Sequence, residues 1–99
     1  MPAYLLIETR VSDPAAYAKA MSLAALAMAI YGGRQLAGGG EMEVLEGRWS
    51  TPEHLVIIEF DSAVLARTFY NSAEYQAARA AAHDAAQTNI LLVDGLPFS

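Results

Sequence analysis

The sequence predicts an α+β fold of ferredoxin-like type, βαββαβ, with a four-stranded antiparallel sheet in the order 4-1-3-2. Three observations carry that expectation. The 99 residues, 55% of them hydrophobic, fit a single domain of roughly 100 residues, here 1–99. Short apolar runs rich in strand-favouring residues alternate with two helical patterns. Right-handed crossovers between such strands bring both helical segments to one face of the sheet.

Residues 3 to 10, Ala-Tyr-Leu-Leu-Ile-Glu-Thr-Arg, make the first strand and stop at Ser12-Asp13-Pro14. Asp13 suits an N-cap and Pro14 the first helical position, where a missing N–H costs nothing. Tyr17, Met21, Ala24 and Met28, spaced by four, three and four, then form an apolar stripe that Leu23, Leu26 and Ile30 widen. Gly32-Gly33 ends the helix near Tyr31 through a left-handed C-cap. Residues 34 to 46 read as a second strand, interrupted at Gly38-Gly39-Gly40 by a bulge or bend. A turn over 47 to 52 leads into the clearest strand, 54 to 60, His-Leu-Val-Ile-Ile-Glu-Phe. Asp61 or Ser62 caps a short helix over 63 to 70. Asn71-Ser72 breaks it and restarts it through the alanine-rich stretch 73 to 86. A last strand over 89 to 94 precedes Gly95 and a proline-containing tail.

Leu5-Leu6-Ile7, Leu55-Val56-Ile57-Ile58 and Ile90-Leu91-Leu92-Val93 are apolar on both parities, whereas a sheet with one wet face alternates. Both faces therefore need cover, and the two helical segments supply only one. A second copy packed sheet against sheet is the expected cover for the other, giving a homodimer.

Six Lys and Arg against eleven Asp and Glu leave a net charge of −5, so neither nucleic acid nor an anionic membrane is an expected partner. The chain has no cysteine for a disulfide, a thiolate nucleophile or a Cys-based zinc site. Met1-Pro2-Ala3-Tyr4 lacks the basic region of a signal peptide, and no apolar run reaches the roughly 18 residues of a membrane span, so the expected location is cytoplasmic. Motifs for a phosphate loop, a dinucleotide fingerprint, a zinc protease or a serine hydrolase are missing.

Val11-Ser-Asp-Pro-Ala-Ala-Tyr17, Tyr31-Gly-Gly-Arg34, Val44-Leu-Glu-Gly47, Val56-Ile-Ile-Glu-Phe60, Ser72-Ala-Glu-Tyr-Gln-Ala-Ala-Arg79 and Val93-Asp-Gly95 together resemble the domain-of-unknown-function family thirteen-thirty, nearly end to end. The resemblance implies the dimeric α+β barrel superfamily. It assigns no reaction, because the family itself lacks one; more distant members of the superfamily include cofactor-free monooxygenases, muconolactone isomerases, and haem-handling or purely binding proteins, so function at that level is fold analogy only. Gly38 and Ala82 stand where the family pattern often carries arginine, while Arg34 and Arg79 remain.

The candidate catalytic residues are Glu59 and His83. Glu59 interrupts an apolar strand and requires a partner such as Arg34 or Arg67, or else water or a raised pKa. His83 follows Arg79 by four and Tyr75 by eight, so the three share one helix face, aimed either at a cleft between helices and sheet or at solvent. Tyr17, Tyr31, Arg34, Phe69, Tyr70, Tyr75 and Arg79 are the candidate ligand-binding residues, aromatic walls with polar tips. His54 opens the third strand near Glu8, either as a tuned pair or as a solvated strand end. No metal site and no organic cofactor are expected. The functional expectation is a small-molecule-binding protein for an apolar or aromatic ligand, a cofactor-independent monooxygenase-like or isomerase-like enzyme. The alternative is a non-catalytic ligand-binding or stress-related dimeric module.

Overall fold

Residues 1–96 are described by the structure, a computed structural model, and the expected tail at Pro97 lies outside the described residues. The element order is β1 (Ala3–Val11), α1 (Pro14–Tyr31), β2 (Arg34–Ala37), β3 (His54–Phe60), α2 (Ala63–Asn71), α3 (Ala73–Ala81) and β4 (Ala86–Asp94). The strands form one antiparallel sheet in the order β2-β3-β1-β4, the predicted order read from the other edge. The fold is therefore ferredoxin-like.

Local chemistry sets the helix ends. Asp13 Oδ1 accepts from the Ala16 N–H at 3.2 Å at the start of α1, and Gly32 turns left-handed at φ 76° to end it. Ser62, rather than Asp61, caps α2, accepting from the Leu65 N–H at 3.1 Å. Ser72 serves two helices: its hydroxyl donates to the Phe69 carbonyl at 2.6 Å and accepts from the Tyr75 N–H at 3.1 Å. That single side chain closes α2 and opens α3.

Strand alternation decides what each sheet face carries. Leu5 lies opposite Ile58 and Leu92 and faces the helices, whereas Leu6 lies opposite Ile57 and Leu91 and faces away. The core forms on the helical side, where Leu5, Ile58 and Phe60 meet Ala66, Phe69 and Ala78. Rings interlock at one end of it, with centroids 5.1 Å apart for Phe60–Phe69 and 4.5 Å for Phe69–Tyr75. The Cα envelope is only 17 Å thick in its shortest dimension, enough for one sheet and one helix layer. Among the described residues no helix covers the second face, and Leu91 there is 60% exposed.

Two boundaries depart from the sequence reading. The second strand stops at Ala37 instead of continuing to 46: the register with β3 slips between Gln35 and Ala37, and Gly39 at φ 74° turns the chain away. Residues 38–53 then cross to β3 without helix or strand. The last helix ends at Ala81 instead of 86, because Asp84 is left-handed at φ 64°. The Ala85 carbonyl beyond it accepts from the N–H groups of Ser12 (2.8 Å) and Asp13 (3.1 Å). The freed residues lengthen β4, which pairs with β1 from Ala86 onward.

Candidate functional site

A cleft of about 540 Å³ opens between the helix layer and the sheet. Its floor comes from the helix-facing positions of β1, β3 and β4, such as Ile7, Val56 and Ile90. Its roof includes small residues, Ala20 and Ala24 on α1 with Ala78 and, just past α3, Ala82, beside the larger Tyr17, Met21 and Met28. Alanine at these inward positions creates the space. Where the helices carry Phe69 and Tyr75 the interior closes, and where they carry methyl groups it stays open.

Six of the nine candidate residues line the cleft: Tyr17, Phe69, Tyr70, Tyr75, Arg79 and His83. Tyr75 is 7% exposed, and burial raises its phenol pKa, opposed by the nearby Arg79 charge. Its hydroxyl has no protein hydrogen-bond partner among the described residues, yet it is not sealed from solvent-accessible space, so it faces the cleft. Burial also raises the Tyr17 phenol, offset in part by the Thr9 hydroxyl. Both groups are therefore neutral hydrogen-bond donors at ordinary pH. The Arg79 guanidinium lies 5.0 Å above the centre of the Tyr70 ring and donates to Gln76 Oε1 at 3.1 Å.

His83 sits in the turn after α3 rather than within the helix, at the cleft mouth, its Nε2 3.6 Å from Asp84 Oδ1. Arg67, Asp84 and Thr9 also line the cleft, and none was among the expected site residues. The inward parity of Thr9, shared with Leu5 and Ile7, was the available signal.

Three candidates lie elsewhere. Glu59 and Arg34 pair across β3 and β2 on the face away from the helices. Arg34 Nε donates to Glu59 Oε1 at 3.0 Å and its Nη2 to Asp61 Oδ1 at 2.9 Å. Asp61, then Glu59, raise the Arg34 pKa further. Odd numbering in β3 points away from the helices, so Glu59 does not meet His83 in the cleft as expected. The Arg34 partnership was among those anticipated. Tyr31 lines a separate shallow groove with Val64 and Thr68, and its hydroxyl donates to Glu74 Oε2 at 3.1 Å.

Of the two readings of His54, the tuned pair with Glu8 is not formed. His54 lies opposite Thr9 and stacks on Tyr17, ring centroids 5.2 Å apart, whereas Glu8 points to the other face and accepts from Asn89 Nδ2 at 2.8 Å. Adjacent register positions have opposite parity, which separates the two. Among the described residues no three His, Asp or Glu side chains cluster in the manner of a metal site. Nor does any described helix have the length and apolarity to cross a membrane.

The family model described as a domain of unknown function (DUF1330) matches residues 2–96, and the chain belongs to that family. No curated protein matches the chain in sequence. Among solved structures, a protein of unknown function from Rhodopseudomonas palustris superposes with a TM-score of 0.71 at 18% identity, covering 96% of this chain and 82% of that one. SnoaB, a cofactor-independent oxygenase from Streptomyces nogalater, gives 0.64 at 14% identity, covering 96% and 93%. A dimeric protein of unknown function and ferredoxin-like fold from Bacteroides fragilis gives 0.61 at 14% identity, covering 95% and 96%. At these identities the likeness is one of fold.

Proposed function

We propose that this DUF1330 member binds a small aromatic or conjugated molecule in the cleft between its helices and sheet and acts on it without a metal or organic cofactor. The carrying observation is the cleft itself: an apolar floor, a wall of Phe69, Tyr70 and Tyr75, and a minority of polar groups such as Thr9, Arg79 and His83. That composition is the common one for sites that bury an organic ligand and orient it by a few contacts.

The chemistry these groups support is proton transfer. His83 at the mouth offers an imidazole nitrogen, the kind of group suited to accepting a proton from an activated carbon or phenol. Neutral phenols of Tyr75 and Tyr17 stabilise the resulting enolate oxygen by hydrogen bonding. Reprotonation at another carbon gives an isomerase-like reaction. Alternatively the carbanion adds dioxygen, the oxidant, to form a hydroperoxide, whose O–O bond breaks with loss of water to leave a carbonyl at that carbon, a monooxygenase-like outcome that the fold shared with SnoaB supports. Glu59, paired with Arg34 on the other face, takes no part.

A panel of quinols and lactones tests the reading, with oxygen uptake and deuterium incorporation from solvent as readouts. Turnover that His83→Ala lowers at least tenfold, with ligand binding retained, supports it. Turnover unaffected by His83→Ala removes the residue from the mechanism. A compound that raises the melting temperature yet is recovered unchanged in both assays favours the non-catalytic binding module instead.

The protein is proposed to work as a homodimer closed over the free sheet face, where Leu6, Ile57 and Leu91 align across three strands. Apolar side chains in that number on an uncovered sheet call for a covering surface, and the same face of a second copy is self-complementary. Sedimentation velocity at micromolar concentration should give a dimer that Leu91→Glu dissociates; a monomeric wild type would refute it.

A further inference from the structure

We propose that the cleft selects a ligand carrying an oxyanion, a carboxylate or enolate on an aromatic or conjugated frame, held between the Arg79 guanidinium and the Tyr75 hydroxyl. The inference deepens the proposed cleft-binding function and rests on it.

Four observations converge. The protein carries a net charge of −5, yet the described cleft residues include two guanidinium groups, Arg67 and Arg79, and one carboxylate, Asp84, which faces His83. Neither arginine forms an ion pair among the described residues, in contrast to Arg34 with its two carboxylates. Arg79 is held in place from two sides, by the Tyr70 ring beneath it and by Gln76 Oε1, which accepts from it at 3.1 Å. A guanidinium has five N–H donors in a rigid fork, so that anchorage leaves donors free to meet two oxygens of a carboxylate side by side.

Tyr75 supplies the complementary donor. It is 7% exposed, four residues before Arg79 on the same helix face, and its hydroxyl has no protein partner among the described residues. A phenol buried to that degree and left open toward a cavity is a polar group waiting for an acceptor. Burial keeps it protonated, so it donates to an anion and does not repel it. The frame of the ligand then lies on the apolar floor of Ile7, Val56 and Ile90, and 540 Å³ accommodates two fused rings.

The test compares 2-naphthoate with its neutral isostere 2-naphthamide at pH 7, each titrated into ¹⁵N-labelled protein and followed through backbone amide shifts. Both should shift amides of residues 75–84, with naphthoate bound about tenfold more tightly, as a charge-assisted hydrogen bond predicts. Arg79→Gln should remove that preference and leave naphthamide affinity unchanged; Tyr75→Phe should weaken naphthoate several-fold. Circular dichroism checks that each variant is folded, and Arg67→Gln serves as a second variant that should retain most of the preference. Naphthamide binding in the cleft as tightly as naphthoate, or a preference that survives Arg79→Gln, overturns the oxyanion site while leaving the cleft-binding function standing. Shifts from neither compound in the cleft overturn both.

Discussion

Filling the cleft should stabilise the protein, and the sign of that effect tests the site. Ala24 lies on the inward side of α1 and lines the cavity. Ala24→Leu adds three carbon atoms, which at about 0.8 kcal/mol per buried CH₂ contribute up to ~2.4 kcal/mol. Ordering a leucine side chain costs about 0.5–1 kcal/mol, and the two residues differ little in helix propensity. The net gain is about 1–2 kcal/mol. For a domain of this size each kcal/mol corresponds to roughly 4–8 °C in Tm. Urea unfolding followed by circular dichroism, at one fixed protein concentration because a dimer makes stability concentration-dependent, measures it. Binding of 2-naphthoate in the same variant should weaken as leucine takes the space. If the region were packed as tightly as the Phe60–Phe69 end, inserting leucine would instead cost about 1–3 kcal/mol. A loss of that size would show that the cleft does not exist in solution and would refute the reasoning built on it.

Ser72→Ala should cost about 2 kcal/mol, since it removes an N-cap and a buried hydrogen bond at once; a change below about 0.5 kcal/mol in urea unfolding would contradict the double-cap assignment. Because burial raises the Tyr75 phenol above its ordinary value, the unfolded chain releases that proton first as pH rises. The folded state then binds more protons than the unfolded one, so stability is full below pH about 10 and falls as pH climbs through the folded pKa. Tyr75→Phe should flatten part of that fall, and an ultraviolet tyrosinate titration should show a late-ionising group absent from the variant. Arg34→Ala removes two exposed ion pairs and should leave both the urea midpoint and 2-naphthoate binding nearly unchanged; loss of cleft binding would show that the two sheet faces communicate.

Much of the architecture was legible because its signals are local. Asp13-Pro14 and Gly32 mark the ends of α1 by backbone chemistry that needs no tertiary partner, and Ser72 announces the break between α2 and α3 in the same way. Period-two positions in β1 and β3 were equally readable, and numbering alone puts Glu59 on the opposite face from Ile58 and Phe60; which of the two faces the helices cover had to come from the fold. The same parity separates Glu8 from His54 and decides against the paired reading of that histidine.

By itself, then, the sequence determined the element order, the sheet order, the helix caps and the presence of apolar residues on both sheet faces, since these follow from covalent geometry and short-range periodicity. Only the tertiary structure decided where the alanines leave room and where the aromatics close it. It also decided that Asp84 ends the last helix early, and that the helix face of Tyr75 and Arg79 borders the cleft while Arg34 and Glu59 pair on the other side of the sheet. Empty volume is a property of several chain segments at once. No single segment records it, because a methyl group looks the same in a sequence whether a neighbour packs against it or a cavity lies beyond.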